Sequence, residues 1–270
     1  MNIAVLIKQV PGTTDVKINP ETGNIIRDGV ASKLNPYDLF ALEMALSLKP
    51  ASITAITMGP NQAKSVILEA VYMGCDLGYV VSDRRFAGAD VLATSRTLAG
   101  AIKKTAELQG LSGYDLIICG KQTTDGDTAQ VGPETAECLD IPHVSDVLSI
   151  DVISGEHITL TANMGDYEQK LCIPLPVLIT IEKDVNTPRL PSIKRKYMLA
   201  ESTDSSELAR FISLDDFDNQ DASLYGQSGS PTHVEKIFQP EANSDKQVFT
   251  GSGEELSERL LNCLRDMKVI

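Results

Sequence analysis

Long apolar runs are missing from this chain of 270 residues. The longest, such as Leu116-Ile117-Ile118-Cys119, fall far short of the roughly 20 residues that cross a bilayer as a helix. The opening Met1-Asn2-Ile3-Ala4-Val5-Leu6-Ile7-Lys8 has no basic leader and no small-residue cleavage site, and it reads as a first strand. A soluble, cytoplasmic protein without membrane insertion is therefore expected. Histidine is scarce, with three residues far apart, which disfavours a histidine metal cluster. The five cysteines (Cys75, Cys119, Cys138, Cys172, Cys263) are odd in number and form no CxxC pair. Neither a zinc site nor a dithiol motif is expected, and buried free thiols in a reducing compartment are. Positive charge is in deficit: 24 Lys and Arg against 37 Asp and Glu leave a net charge of −13. That balance repels a phosphate backbone and argues against nucleic acid as a partner. There is no GxSxG elbow and no Cys/His pairing that sequence supports, so nothing points to hydrolysis.

What is present is an alternation. Apolar content of 42% and this length allow one good core without deciding between one domain and two. Residues 2–7 read as a buried parallel strand and residues 16–30 as a hairpin. Asn35-Pro36 opens a helix, with Asn35 as cap and Pro36 at its first position, and Pro50 ends it. Strand 53–58, a helix closed by Gly74, strand 79–81, helix 90–108, strand 116–119 and helix 128–139 follow. Such β-α-β units predict an α/β fold: a doubly wound, mostly parallel, Rossmann-like sheet. After Pro142 the segments 147–153, 157–162, 167–172 and 176–182 read as an added antiparallel meander. From about residue 200 the composition turns polar and acidic until an amphipathic helix at 254–268, with Leu256, Leu260, Leu261 and Leu264 inward. Residues 1–200 are thus expected to form the α/β domain. Residues 201–270, too poor in large apolar residues to build a core, are expected to form an extended arm lying along something else, such as another subunit.

In open parallel sheets ligands sit beyond the carboxyl ends of strands, and two loops there carry the chemistry. Residues 120–133 join a buried strand to a helix, with Gly120, Thr123, Thr124, Gly126, Thr128 and a helix N-terminus that suits an anion. The loop lacks the Walker and GxGxxG patterns, and a helix connection capped by Asp127 or Thr128 explains it equally well. Residues 82–95 hold Arg84, which could meet a phosphate or flavin edge, and hydroxyls in the first helical turns; a surface arginine is the plainer outcome. A basic cluster, Lys183, Arg189, Lys194, Arg195 and Lys196, is either a solvated loop or a docking surface for an acidic partner. Phosphate-cradling loops without a catalytic acid or base suggest a cofactor holder.

Several segments together carry a resemblance. Val5 to Pro11, Asn35-Pro36-Tyr37-Asp38 with Glu43, Met58-Gly59-Pro60, Gly120-Lys121-Gln122 through Pro133, Val185 to Arg189 and Ser228-Gly229-Ser230-Pro231 look like the electron-transfer flavoprotein beta subunit, in the same order and nearly end to end. The resemblance implies an alpha-subunit partner carrying its own FAD, with the C-terminal arm wrapped around it. It places a second nucleotide between Leu6, the Asn35, Tyr37 and Asp38 turn, Met58 and Gly59, and the loop of Gly120, Thr123 to Thr128, Ala129, Gln130 and Val131. It makes Ile193 the apolar tip of a recognition segment for dehydrogenases, ringed by Arg189, Lys194, Arg195 and Lys196.

The family has two subtypes. In one the beta nucleotide is structural AMP. In the electron-bifurcating one it is FAD, which oxidises NADH and splits the electrons between ferredoxin or flavodoxin and, through the alpha flavin, a dehydrogenase of acyl-CoA, enoyl-CoA or lactate type. Asp125-Gly126-Asp127-Thr128 resembles the bifurcating pattern, whereas AMP-type relatives tend to carry a third acid at the Gly126 position. A diphosphate needs close backbone approach, which glycine permits and a carboxylate would oppose. Ser82, Asp83, Arg84 and Asp90 also resemble that subtype, and Thr94, Ser95 and Thr97 could add hydroxyls. A nucleotide-sensing α/β domain without a redox role is the reading from another class. Leu190, where relatives often carry Tyr, and residues 215–225 depart from the pattern.

Overall fold

The structure, a computed structural model, describes residues 1–12, 32–48, 51–235 and 246–270; the hairpin expected at 16–30 lies outside them. In chain order the elements are β1 (Asn2–Leu6), β2 (Gln9–Pro11), β3 (Ser32–Leu34), α1 (Pro36–Ser47), β4 (Ser52–Met58), α2 (Lys64–Met73), β5 (Leu77–Val81), α3 (Val91–Leu108), β6 (Leu116–Gly120) and α4 (Val131–Leu139). Then come β7 (His143–Ser154), β8 (His157–Asn163), β9 (Glu168–Pro174), β10 (Val177–Ile181), α5 (Ile193–Ser202), α6 (Ser205–Leu208), β11 (Ala209–Ile212) and α7 (Gly253–Asp266).

The main sheet runs β11-β5-β4-β1-β6-β10-β7-β8-β9. Every pair from β11 to β7 is parallel, and only β7-β8 and β8-β9 are antiparallel. β1 shows why the strands read as unbroken apolar runs. Ile3 and Val5 enter one core, with Leu42, Leu46 and Ile67 of α1 and α2. Ala4 and Leu6 enter the other, with Leu98 and Ile102 of α3 and Ala136 of α4. A strand buried on both faces has no polar side to alternate. The chain leaves β1 for β4 on one side and later returns to lay β6 on the other, so the crossovers diverge at the carboxyl end of β1.

Three expectations are corrected. Val177–Ile181 does not extend the meander: it inserts between β6 and β7 in parallel, with all five side chains buried. Its run Val-Leu-Ile-Thr-Ile lacks the alternation of a half-exposed strand, which is the signature of a central parallel one. The body also extends past residue 200. One compact unit spans Met1–Val234, because Leu208, Ala209, Ile212, Leu214, Phe217 and Tyr225 bury themselves on it and β11 pairs with β5. Residues of the second unit, Glu235–Ile270, are described only from 246 onward. There α7 is framed by a capping box of Ser252 and Glu255. None of its residues is buried, with Leu260 at 61% and Leu261 at 40% exposure. The leucines expected inward have no core of their own to enter.

Candidate functional site

The carboxyl ends of β1, β4, β5 and β6 open into a cleft of about 880 Å3. Its floor is Leu6, Met58, Gly59, Val81 and Gly120, each the last residue of a strand or the next one along.

One wall is the start of α1. Asp38 is buried, and its Oδ2 accepts the Lys8 N–H at 2.7 Å. Burial pushes its carboxyl up to about 7, against the pull of the Asn35 side chain, the Lys8 and Gly120 amides and the Lys8 charge. Gly120 has to be glycine: a Cβ there would stand 2.6 Å from Asp38 Oδ1 and 2.7 Å from the Tyr37 carbonyl carbon. Asn35 does not cap α1 with its side chain. Its Nδ2 donates to the Gln122 carbonyl at 2.9 Å and its Oδ1 accepts the Thr124 N–H at 3.3 Å. Fully buried, it ties the α1 start to the facing loop. The Tyr37 hydroxyl contributes a longer contact, accepting from Gln122 Nε2 at 3.3 Å.

That loop, residues 121–130, is the second wall, and α4 begins only at Val131. Neither Asp127 nor Thr128 caps it, and no side chain of Gln130 does either. Asp127 and Ala129 instead take left-handed φ of 51° and 55°, which delays the helix and leaves its first turn facing the cleft. Thr123, Gly126, Thr128, Ala129, Gln130 and Val131 line the cleft. Thr124, Asp125 and Asp127 hold the loop's shape. Asp125 accepts Lys8 Nζ at 2.8 Å, Asp127 Oδ1 accepts Gln122 Nε2 at 3.1 Å, and the Asp127 N–H returns to Thr123 O at 3.0 Å. Burial works against the Asp125 charge, yet the Lys8 ammonium holds its carboxyl below the ordinary range. Gly126 is not in the left-handed region, and a Cβ there would meet only Thr123 Oγ1, at 3.3 Å. The fold itself does not demand glycine at that position.

The third wall is residues 82–90 and the first turn of α3. Ser82, Asp83, Arg84, Asp90 and Thr94 line the cleft. Asp83 is gripped by Arg85 and also accepts the Leu214 N–H at 3.2 Å, which holds its carboxyl well below the usual range. Arg84, exposed at the rim, makes no ion pair among the described residues. Thr97 points elsewhere: it is buried and its hydroxyl donates to Ala93 O at 2.7 Å. Ser95 likewise donates to Val91 O at 2.8 Å. Of the helix hydroxyls considered, only Thr94 faces the cleft. The starts of α3 and α4 therefore converge on one space lined by hydroxyls and a free guanidinium, a setting for an anionic group.

The basic segment lies elsewhere, and it is pinned. Arg189 closes on Glu43 of α1, and Arg195 donates from Nε to Val71 O and from a terminal nitrogen to Cys75 O, each at 2.8 Å. The Arg195 bonds cap the carboxyl end of α2. Lys196 stands over the Tyr72 ring at 6.0 Å, while Lys194 and Ile193 are exposed. Ile193 starts helix α5 rather than sitting in a loop.

Lys8, Phe86, Gly88 and Cys119 also line the cleft, the first three in segments that carry the resemblance but not singled out there as contacts. Lys8 had a usable signal, as the first polar residue after a buried strand; Cys119 hid inside an apolar run. Among the described residues no group of three or more His, Cys, Asp or Glu could hold a metal, and no helix is long and apolar enough to cross a membrane.

An electron transfer flavoprotein domain matches residues 22–208. The chain is 40% identical over 273 residues to the electron transfer flavoprotein subunit beta of Thermoanaerobacterium thermosaccharolyticum, covering 100% of both. It is 45% identical over 254 residues to the protein of the same name from Megasphaera elsdenii, covering 92% of this chain and 91% of that one. A caffeyl-CoA reductase-Etf complex subunit, CarD of Acetobacterium woodii, is 38% identical over 279 residues, with 100% of each covered.

Proposed function

Since the chain belongs to the electron-transfer flavoprotein family as a beta-type subunit, we propose that its cleft holds FAD, reduced by NADH, in an electron-bifurcating complex with an alpha-type subunit. FAD bound there would accept a hydride from NADH and pass electrons on singly, one toward ferredoxin or flavodoxin and one toward the alpha-subunit flavin and a partner dehydrogenase.

The observation that carries the reading is Gly126. It lines the cleft between two acids at the mouth of an uncapped helix, yet neither its backbone angle nor its neighbours require glycine. A ligand group lying close to that backbone does account for it. Size points the same way: about 880 Å3 lies near the upper end of the roughly 300–1,000 Å3 of cofactor clefts. In this arrangement the α3 and α4 N-termini, Thr94 and Thr128 take a diphosphate, and Arg84 stays free for phosphate or ring. Asp38 and the Leu6 floor close the inner end. The chain supplies binding, orientation and exclusion of water.

The pinned segment with exposed Leu190 and Ile193 supports docking of a dehydrogenase. The name of the Acetobacterium relative, which joins an Etf to a CoA-thioester reductase, fits a partner of that class. The test is extraction of the complex purified with its alpha-type partner. Two FAD per heterodimer are expected; one FAD together with AMP would overturn the bifurcating reading in favour of a structural nucleotide.

A further inference from the structure

We propose that residues 225–232 form a strap that sets the cleft wall of residues 82–90, making Ser230 and Thr232 positioning residues for the bound nucleotide. This rests on the nucleotide-binding reading of the cleft.

The polar stretch after β11 fastens to that wall at three points. Phe86, the buried residue of the wall, packs between Phe217 and Tyr225, with ring centroids 5.7 Å from each. Next, the backbones meet directly. Gln227 N–H donates to Ala87 O at 3.0 Å, and Gly226, at φ 54°, has no room for a Cβ, which would fall 2.1 Å from Arg85 O. Finally, the strap closes on Asp90. Ser230 Oγ accepts the Asp90 N–H at 2.8 Å and donates to Gly226 O at 2.7 Å. Thr232 donates to Asp90 Oδ2 through its N–H at 3.0 Å and its hydroxyl at 2.7 Å.

Asp90 also uses Oδ1 to cap α3 through the Ala93 N–H at 3.0 Å. One carboxylate thus couples the strap to the first turn of α3, where Asp90 and Thr94 line the cleft. No residue of the strap lines the cleft itself. Its role is to hold a surface loop in its binding shape in advance, which removes an ordering cost from ligand binding.

The test uses the full-length chain with its alpha-type partner, stripped of nucleotide and titrated separately with FAD and with AMP. Hydrogen exchange is read over residues 82–90. Thr232 is exposed, so Thr232→Val cannot act by unfolding a core. Ser230→Ala with Thr232→Val is expected to weaken binding of the accepted nucleotide by about tenfold or more and to speed exchange in 82–90 while the core stays protected. Thr232→Ser is expected to bind as the parent does. If the parent binds and the double variant binds equally tightly, the strap inference falls and the site reading stands. If the parent binds neither FAD nor AMP, both fall together.

Discussion

Arg189 holds Glu43 by three hydrogen bonds: Nε and a terminal nitrogen to the two carboxylate oxygens at 2.8 Å each, and the backbone N–H at 3.0 Å. Glu43 sits on α1, whose first turn walls the cleft, so the segment displaying Leu190 (86% exposed) and Ile193 (72% exposed) is mounted on the same helix as the site. The guanidinium holds the Glu43 carboxyl below its ordinary range. A partly exposed pair stabilises by only about 1 kcal/mol or less. Glu43→Gln is therefore expected to leave the melting temperature within a few degrees while amide exchange over residues 187–193 quickens. Unchanged exchange there would show that the clamp does not order the segment.

Gly126→Asp places a carboxylate where ligand phosphate is expected. Repulsion between charges about 4 Å apart ranges from about 1 kcal/mol in water to about 4 near a protein surface. The variant should fold, since only the rotatable Thr123 hydroxyl stands near the new Cβ. It is expected to lose the beta nucleotide and keep the alpha flavin. Loss of both flavins, or of neither, contradicts the placement.

Asn35→Ala removes both ties to the facing loop and strands the Gln122 carbonyl and the Thr124 N–H. The cost is about 1–3 kcal/mol for groups left unpaired, and nucleotide binding should weaken with it. Denaturant unfolding of the nucleotide-free protein separates the two effects.

Asp38 predicts a direction with pH. Its carboxyl titrates near 7 when folded, against 3.8 ordinarily. Between these values the folded state binds the extra proton, so stability falls as pH rises from about 4 through 7, by a few kcal/mol at most. Glu69 and Glu134, also raised by burial, act in the same sense. Asp38→Asn is expected to flatten much of this slope in urea unfolding at pH 5.5 and 8. An unaltered slope would show that Asp38 is ionised throughout.

Much of this was legible beforehand. The strand-helix alternation gave the parallel sheet, and strand ends pointed to two of the cleft loops, residues 82–95 and 120–133. Asn35 was legible as important but not in its role, because a cap and a tether use the same side chain and differ only in what lies opposite. Thr97 is near Thr94 in the sequence, yet its hydroxyl folds back onto its own helix, a choice that residue type alone does not reveal. β10 was misplaced because a strand's neighbour in the sheet is set by long-range packing rather than by adjacency in the chain. Of the strap, only Ser228 to Pro231 stood out, as part of the family resemblance; its attachment did not, since polar residues 213–232 stay attached through a few buried aromatics and backbone bonds that composition does not show.

The most direct measurement is an NADH titration of the intact complex, followed by flavin absorbance. Two flavins per heterodimer reduced by added NADH are the result expected of a cleft that holds FAD. A single flavin, unbleached by NADH, would contradict it.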